Sequence, residues 1–186
     1  MTEEKVKATL PVELDSIGPE EGLTLTLKKP FGFFFAEEGE VIPVTEVDIT
    51  VSLTKSGDEV FAAGVASGTV RLQCARCLAE FDSELNAVIE APFFPKGSAE
   101  EMAGEEAEEE EMDEGDVNIY EGKHLDLYPV IRDQLYLALP IKPLCREDCK
   151  GLCPKCGADR NVTTCGCTVE SHDSRLAVLQ KLKGKL

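Results

Sequence analysis

The chain has little of what enzymes usually display. Its only histidines are His124 and His172, there is no glycine-rich phosphate loop, and no serine or cysteine stands in a nucleophile motif. Carboxylates are abundant, yet no pair is set apart by spacing as the metal-holding pair of a nuclease would be. These absences argue against an enzyme. No stretch reaches the roughly 18 apolar residues that cross a bilayer, and Met1-Thr-Glu-Glu-Lys5 has neither the basic nor the apolar region of a secretory leader. The expectation is a cytoplasmic protein. Cysteine is missing from residues 1–73, whereas a secreted disulfide scaffold would spread it through the chain. Basic residues are missing from Ser98 to Asp116, which carries eleven acidic residues. Such a run repels itself and cannot bury apolar surface, so it reads as a disordered loop. A masking or nucleic-acid-mimicking role is the alternative.

The acid is unevenly placed. The formal charge is −17 overall; residues 1–141 hold ten basic against thirty-one acidic residues, −21, and residues 142–186 nine against five, +4. An acidic body therefore precedes a basic tail. At 186 residues the chain can hold one medium domain plus a small appendage that needs its own staple.

The staple is visible in eight cysteines: Cys74-Ala-Arg-Cys77, Cys145-Arg-Glu-Asp-Cys149, Cys153-Pro-Lys-Cys156-Gly157 and Cys165-Gly-Cys167. Thiolates two or three residues apart converge on one metal, and eight are what two four-sulfur zinc sites consume. Cys153 to Gly157 has a zinc-knuckle pattern, in which proline fixes the turn and glycine lets the backbone curl toward the sulfurs. Three pairings compete. The preferred one joins Cys74, Cys77, Cys145 and Cys149, and leaves Cys153, Cys156, Cys165 and Cys167 as a zinc-ribbon-like site. A second groups Cys145, Cys149, Cys153 and Cys156, and gives Cys165 and Cys167 to Cys74 and Cys77. A third has one zinc and free thiols, and spacing alone does not choose among them. In the preferred pairing one zinc ties sheet to tail and the other folds the tail. Each site can supply on the order of 10 kcal/mol of metal-dependent folding energy.

The four-thiolate charge also gives nearby cations a local task, since each site with one zinc is −2. Arg76, Arg146, Lys150 and Lys155 are placed to offset it. Lys142, Arg160, Arg175, Lys181, Lys183 and Lys185 remain for phosphate contacts, a thin patch beside so acidic a body. His172 as a zinc ligand is weaker than His172 as a surface residue at a helix start, and His124 reads as a solvated turn residue. A thiol-redox protein using Cys74 and Cys77 is the alternative class. The pair lacks the usual βαβ setting, and six other cysteines ask for the same explanation.

Asp48-Ile-Thr-Val-Ser-Leu-Thr54 alternates apolar and polar, a Lys55-Ser-Gly-Asp58 turn follows, and Glu59–Leu72 and Glu80–Phe94 continue an antiparallel meander. Val6–Leu14 and Leu23–Lys28 are further strands. Cys74 and Cys77 fall at the turn between two long strands. Phe31-Gly-Phe-Phe-Phe35 reads as core or sheet-edge packing. Asp126–Leu139 reads as a helix with Leu127, Val130, Ile131, Leu135 and Ala138 on one stripe, Pro129 in its first turn, and an end before Pro140. Asp173–Lys183 is a second helix, with Asp173 as N-cap and Leu176, Leu179 and Leu182 on its apolar side. The fold class expected is α+β: an antiparallel sheet over 1–97, an acidic disordered loop over 98–116, a helix packing on the sheet within 117–144, and a zinc-binding module over 145–186.

Several segments together carry a family resemblance: Val70-Arg-Leu-Gln-Cys-Ala-Arg-Cys-Leu-Ala-Glu-Phe81, Leu139-Pro-Ile-Lys-Pro-Leu-Cys145, Cys149-Lys-Gly-Leu-Cys-Pro-Lys-Cys-Gly157 and Asp173-Ser-Arg-Leu-Ala-Val-Leu179. In this order, over about residues 8–183, the chain resembles the bacterial and plastid YceD family, named for large ribosomal RNA subunit accumulation. In that family the C-x-R-C pair recurs and the C-terminal metal element is not universal. The resemblance thus favours joining Cys74 and Cys77 to the first tail pair. It implies a non-enzymatic role in 23S ribosomal RNA accumulation or processing and in large-subunit assembly, and it supplies no catalytic mechanism. The expected partner is ribosomal RNA through the basic tail, or a basic ribosomal protein or processing factor through the acidic body. Charge favours the second, because phosphate binding is opposed by the chain's own field.

Overall fold

The computed structural model describes residues 8–35, 42–97 and 118–167. The acidic run, the Asp173–Lys183 helix, His172 and the start of the Val6–Leu14 strand lie outside them, wholly or in part. The elements in chain order are β1 (Pro11–Glu13), β2 (Leu23–Lys29), β3 (Ile42–Pro43), β4 (Val47–Ser56), β5 (Glu59–Gln73), β6 (Glu80–Pro95), β7 (Asn118–Tyr120), β8 (His124–Asp126) and α1 (Tyr128–Leu137). The chain divides into two compact units. The first comprises residues 1–72 and 81–141; the second, residues 73–80 and 142–186.

In the first unit the strand signal is the alternation itself. Along β4, Val47, Ile49, Val51 and Leu53 are at most 1% exposed while the residues between them face water, because successive side chains point to opposite faces. β4 pairs antiparallel with β2 on one side and β5 on the other, through a turn at Gly57-Asp58. The sheet order is β2-β4-β5-β6-β7, with β3 also on β5. The antiparallel expectation holds up to β7 only in part: β6 and β7 run parallel, Phe93 to Pro95 against Asn118 to Tyr120. A parallel pair needs a long return connection, and residues 96–117 are long enough to make one. β1 and β8 form a separate antiparallel pair, Val12 opposite Leu125.

The helix is shorter than its periodicity suggests, but it buries the expected side. Val130, Ile131 and Leu135 are buried together with Leu127, and Ala138 is half-buried against the same core. Pro129 sits in the first turn, where its missing N–H costs nothing. Asp126 caps the turn: one carboxylate oxygen accepts from the Tyr128 N–H at 2.9 Å and from the Leu10 N–H at 2.7 Å. The phenylalanine run is core, as expected. Phe31 and Phe34 are 1% exposed, and Phe34 stacks on Tyr128 at 5.8 Å while Phe33 meets the same ring edge-on at 5.3 Å. Gly68 in β5 is what admits Phe31, since a Cβ there would lie 2.7 Å from the Phe31 ring.

Candidate metal centres

The described part of the second unit shows no such core. Among its described residues the buried side chains are those of Cys74, Cys77, Cys149 and Cys153; the other buried position is Gly151. The elements that carry the cysteines are two knuckles and a loop. In the first knuckle the Cys74 N–H donates to the Ala79 carbonyl at 2.9 Å and the Leu78 N–H to the Cys74 carbonyl at 2.9 Å. In the second, Cys153 donates to Ala158 at 2.8 Å and Gly157 to Cys153 at 2.8 Å. The pattern is the same, four and five residues after the leading cysteine. Gly157 reaches it with φ of 72°, and Leu78 adopts the same left-handed region at 62°, a conformation that L side chains rarely take.

These turns gather the sulfurs into two groups of four. Cys74, Cys77, Cys145 and Cys149 form one, Cys153, Cys156, Cys165 and Cys167 the other, and within each all sulfurs lie within 4.8 Å of one another. This is the preferred grouping of the three that spacing allowed. The Sγ atoms of Cys74 and Cys149 are 3.8 Å apart and those of Cys77 and Cys145 3.7 Å, too far for a disulfide. A tetrahedral zinc with Zn–S bonds of about 2.3 Å spaces its sulfurs by about 3.8 Å, so the donor set and its spacing fit that metal. None of the eight cysteines is in a disulfide.

The electrostatics divide the sulfurs in each group. Burial works against ionising Cys74, yet the amides of Cys145, Cys77 and Arg76 hold its thiol down to about 6. Cys149 is also lowered against burial, by the Asn161 side-chain amide, 3.4 Å from its sulfur, and by the Gly151 amide. Cys145 is pushed up to about 12 by burial and by the neighbouring sulfurs. In the second group the amides of Cys156 and Lys155 lower Cys153 to about 6, while Cys156 and burial raise Cys167 to about 12. Four negative charges cannot share so small a space without a counterion, and a divalent cation removes the penalty by taking the place of the protons.

The groups differ in access. Three of the first four cysteines are buried, whereas Cys156 is exposed and Cys165 and Cys167 half-buried. The second group opens onto a cavity of about 170 Å³ lined also by Lys150, Arg160 and Thr163.

Two residues matter here in ways the sequence did not announce. Asn161 donates to the Cys149 sulfur, accepts from the Lys150 N–H and from the Arg146 guanidinium, each at 2.8 Å, and donates to Asp159 at 2.7 Å. It fixes the Cys145–Cys149 loop against the second knuckle. Arg76 was expected to offset thiolate charge, and its guanidinium reaches carbonyls instead: Cys149 at 2.8 Å and Glu147 at 3.1 Å. Its own carbonyl accepts from the Leu152 N–H at 3.0 Å, and Gly151 packs so closely there that a Cβ would lie 2.8 Å from that oxygen. His124 belongs to the sheet unit, with Nε2 3.7 Å from a Glu13 carboxylate.

No helix among the described residues is long and apolar enough to cross a membrane. Among the described residues, a largely antiparallel sheet with one helix, followed by two clusters of four cysteines that could hold metal ions, defines an α+β protein. The chain belongs to the YceD family: residues 62–183 match its model, described as "Large ribosomal RNA subunit accumulation protein YceD". It is similar to an uncharacterized protein of Mycobacterium tuberculosis, 28% identical over 139 residues, covering 74% of this chain and 62% of the relative. It is also similar to the chloroplastic "Large ribosomal RNA subunit accumulation protein YCED homolog 1" of Arabidopsis thaliana, 36% identical over 66 residues, covering 36% and 21% of the two chains. The homologue of the same name in Zea mays is 24% identical over 161 residues, covering 76% and 54%. The chain thus spans less than two thirds of the length of these relatives, and no solved structure matches it.

Proposed function

We propose that this chain is a non-enzymatic factor that supports accumulation of large-subunit ribosomal RNA, with its second unit folded around two zinc ions. One zinc is held by Cys74, Cys77, Cys145 and Cys149, the other by Cys153, Cys156, Cys165 and Cys167. The observation that carries the metal reading is that cysteines are the buried side chains of that unit's described part. A cysteine-rich segment whose described part buries no aliphatic or aromatic side chain is of the kind that folds around metal. Zinc has no redox chemistry, and a site closed by four sulfurs leaves no position for substrate, which supports a structural role. A thiol-redox role for Cys74 and Cys77 is disfavoured, since Cys74 is 0% exposed and thiol exchange needs access.

The family's description supports a role in accumulation of large-subunit ribosomal RNA; 23S processing and large-subunit assembly are the finer reading proposed with it. A net charge of −17 makes a basic protein of the large subunit, or a basic processing factor, a better partner than RNA itself. The compartment is then that of ribosome assembly, the cytoplasm in a bacterial cell. Depletion of the protein in cells should lower 23S ribosomal RNA relative to 16S, and restoring it should reverse the loss. Crosslinking that enriches neither ribosomal RNA nor large-subunit proteins would refute the reading. Native mass spectrometry of protein purified without chelator should find two zinc ions per chain.

A further inference from the structure

We infer that the outer edge of β6 is a docking site for an extended basic peptide, which adds to the sheet as a further strand. β6 spans Glu80–Pro95, but β7 covers only Phe93 to Pro95 of it. Among the described residues no strand pairs with the rest of that edge. The side of the strand that faces outward can be identified. The Pro92 carbonyl accepts from the Asn118 side chain at 3.1 Å and the Lys96 N–H donates to the Tyr120 carbonyl at 3.0 Å, so even-numbered residues turn their backbone toward β7. A strand's residues alternate sides, and Glu84, Asn86, Val88 and Glu90 therefore present N–H and C=O groups to the open edge. Pro92 stands on the same side, where a missing N–H removes no bond to β5.

The occupant follows from charge. The edge-facing residues from Glu80 to Glu90 are exposed, four of the six are acidic, and β6 contains no basic residue. Asp82 already pairs with Arg71 at 2.7 Å. Acidic side chains on an edge repel a second copy of the same strand, and they repel the chain's own acidic run equally. A lysine- or arginine-rich segment in extended form satisfies both backbone and charge, as in strand addition to other open sheets. The proposal rests on the reading above only for the ribosomal origin of that segment.

The test uses the full, zinc-loaded chain and a labelled peptide of alternating lysine and threonine. Binding should protect the amides of Glu84, Asn86, Val88 and Glu90 from hydrogen exchange, and the double variant Glu84→Lys, Glu90→Lys should bind roughly tenfold more weakly. The same peptide N-methylated at every residue keeps its charge but offers no N–H along either edge, so it cannot pair as a strand, and it should also lose roughly tenfold. Equal binding of the methylated peptide, protection confined to other segments, or an unaffected charge-reversed variant would each overturn the proposal. So would concentration-dependent dimers that pair through β6. If the peptide docks while depletion leaves 23S ribosomal RNA unchanged, the ribosomal role falls and the edge site stands; the opposite pair of results removes the edge site alone.

Discussion

The two units solve the same problem with different materials. The sheet unit buries a continuous cluster from Leu10 to Leu135, including Phe31, Phe34, Ile49, Leu53, Ile89 and Ile131 at 1% exposure or less. A side chain so buried contributes about 1.5–3 kcal/mol. The cysteine unit buries sulfur, and its described part adds no aliphatic or aromatic side chain to a core. On the proposed zinc reading, the first should fold by packing and tolerate loss of metal, and the second should depend on its thiolates being neutralised and respond to anything that competes for them.

The sharpest way to break this comparison is to remove metal. Chelation should abolish hydrogen-exchange protection over 73–80 and 142–167 and leave 47–72 protected; uniform loss or uniform retention would refute the division. A graded chelator should empty the second group first, because Cys156 is exposed and the first group is more buried. Variants Cys149→Ser and Cys153→Ser should each lower the zinc count from two to one by native mass spectrometry. Acid acts in the same direction. The lowered Cys74 and Cys153 contribute stability that is present above the ordinary thiol value and lost as pH falls through about 6, so metal should leave on acidification and return on neutralisation.

A large-to-small change in the sheet unit should do the converse. Ile131→Ala should cost about 2–5 kcal/mol by denaturant unfolding with both metals retained. A smaller effect separates the two knuckles. Leu78→Gly should stabilise the first knuckle by about 1 kcal/mol, since only glycine takes a positive φ freely, and Gly157→Leu should destabilise the second by about 1–2 kcal/mol. Thermal unfolding with both metals bound measures each. An effect of the same size, about 1 kcal/mol, is expected for Asp126→Ala, from losing the acceptor for Tyr128 and Leu10; an unchanged midpoint would deny the carboxylate its capping role.

How far the sequence could be read follows from how local each signal was. β4 and the Gly57 turn were legible because alternation and turn chemistry are written within a few residues. The Cys153–Gly157 knuckle was legible for the same reason, whereas its twin at Cys74 carries leucine where glycine is usual and so showed no curl. Asn161 carried no signal, because its partners Cys149, Arg146 and Lys150 become neighbours only after the tail has folded. The parallel run of β7 was hidden as well: three residues after a long acidic run have no periodicity to read.

The amino-acid sequence alone determined that eight sulfurs were available in close pairs, that the body was acidic and sheet-forming, and that the chain resembled the YceD family. Those properties are sums or short-range patterns. Tertiary structure decided which pairs of cysteines come together and that, among the described residues, only Phe93 to Pro95 of β6 has a strand on its outer side. Both depend on contacts between residues far apart in the chain, such as Cys74 with Cys149 and Phe93 with Asn118. Closing those loops costs entropy that only the assembled sheet and the gathered thiolates repay, so no local stretch records the outcome.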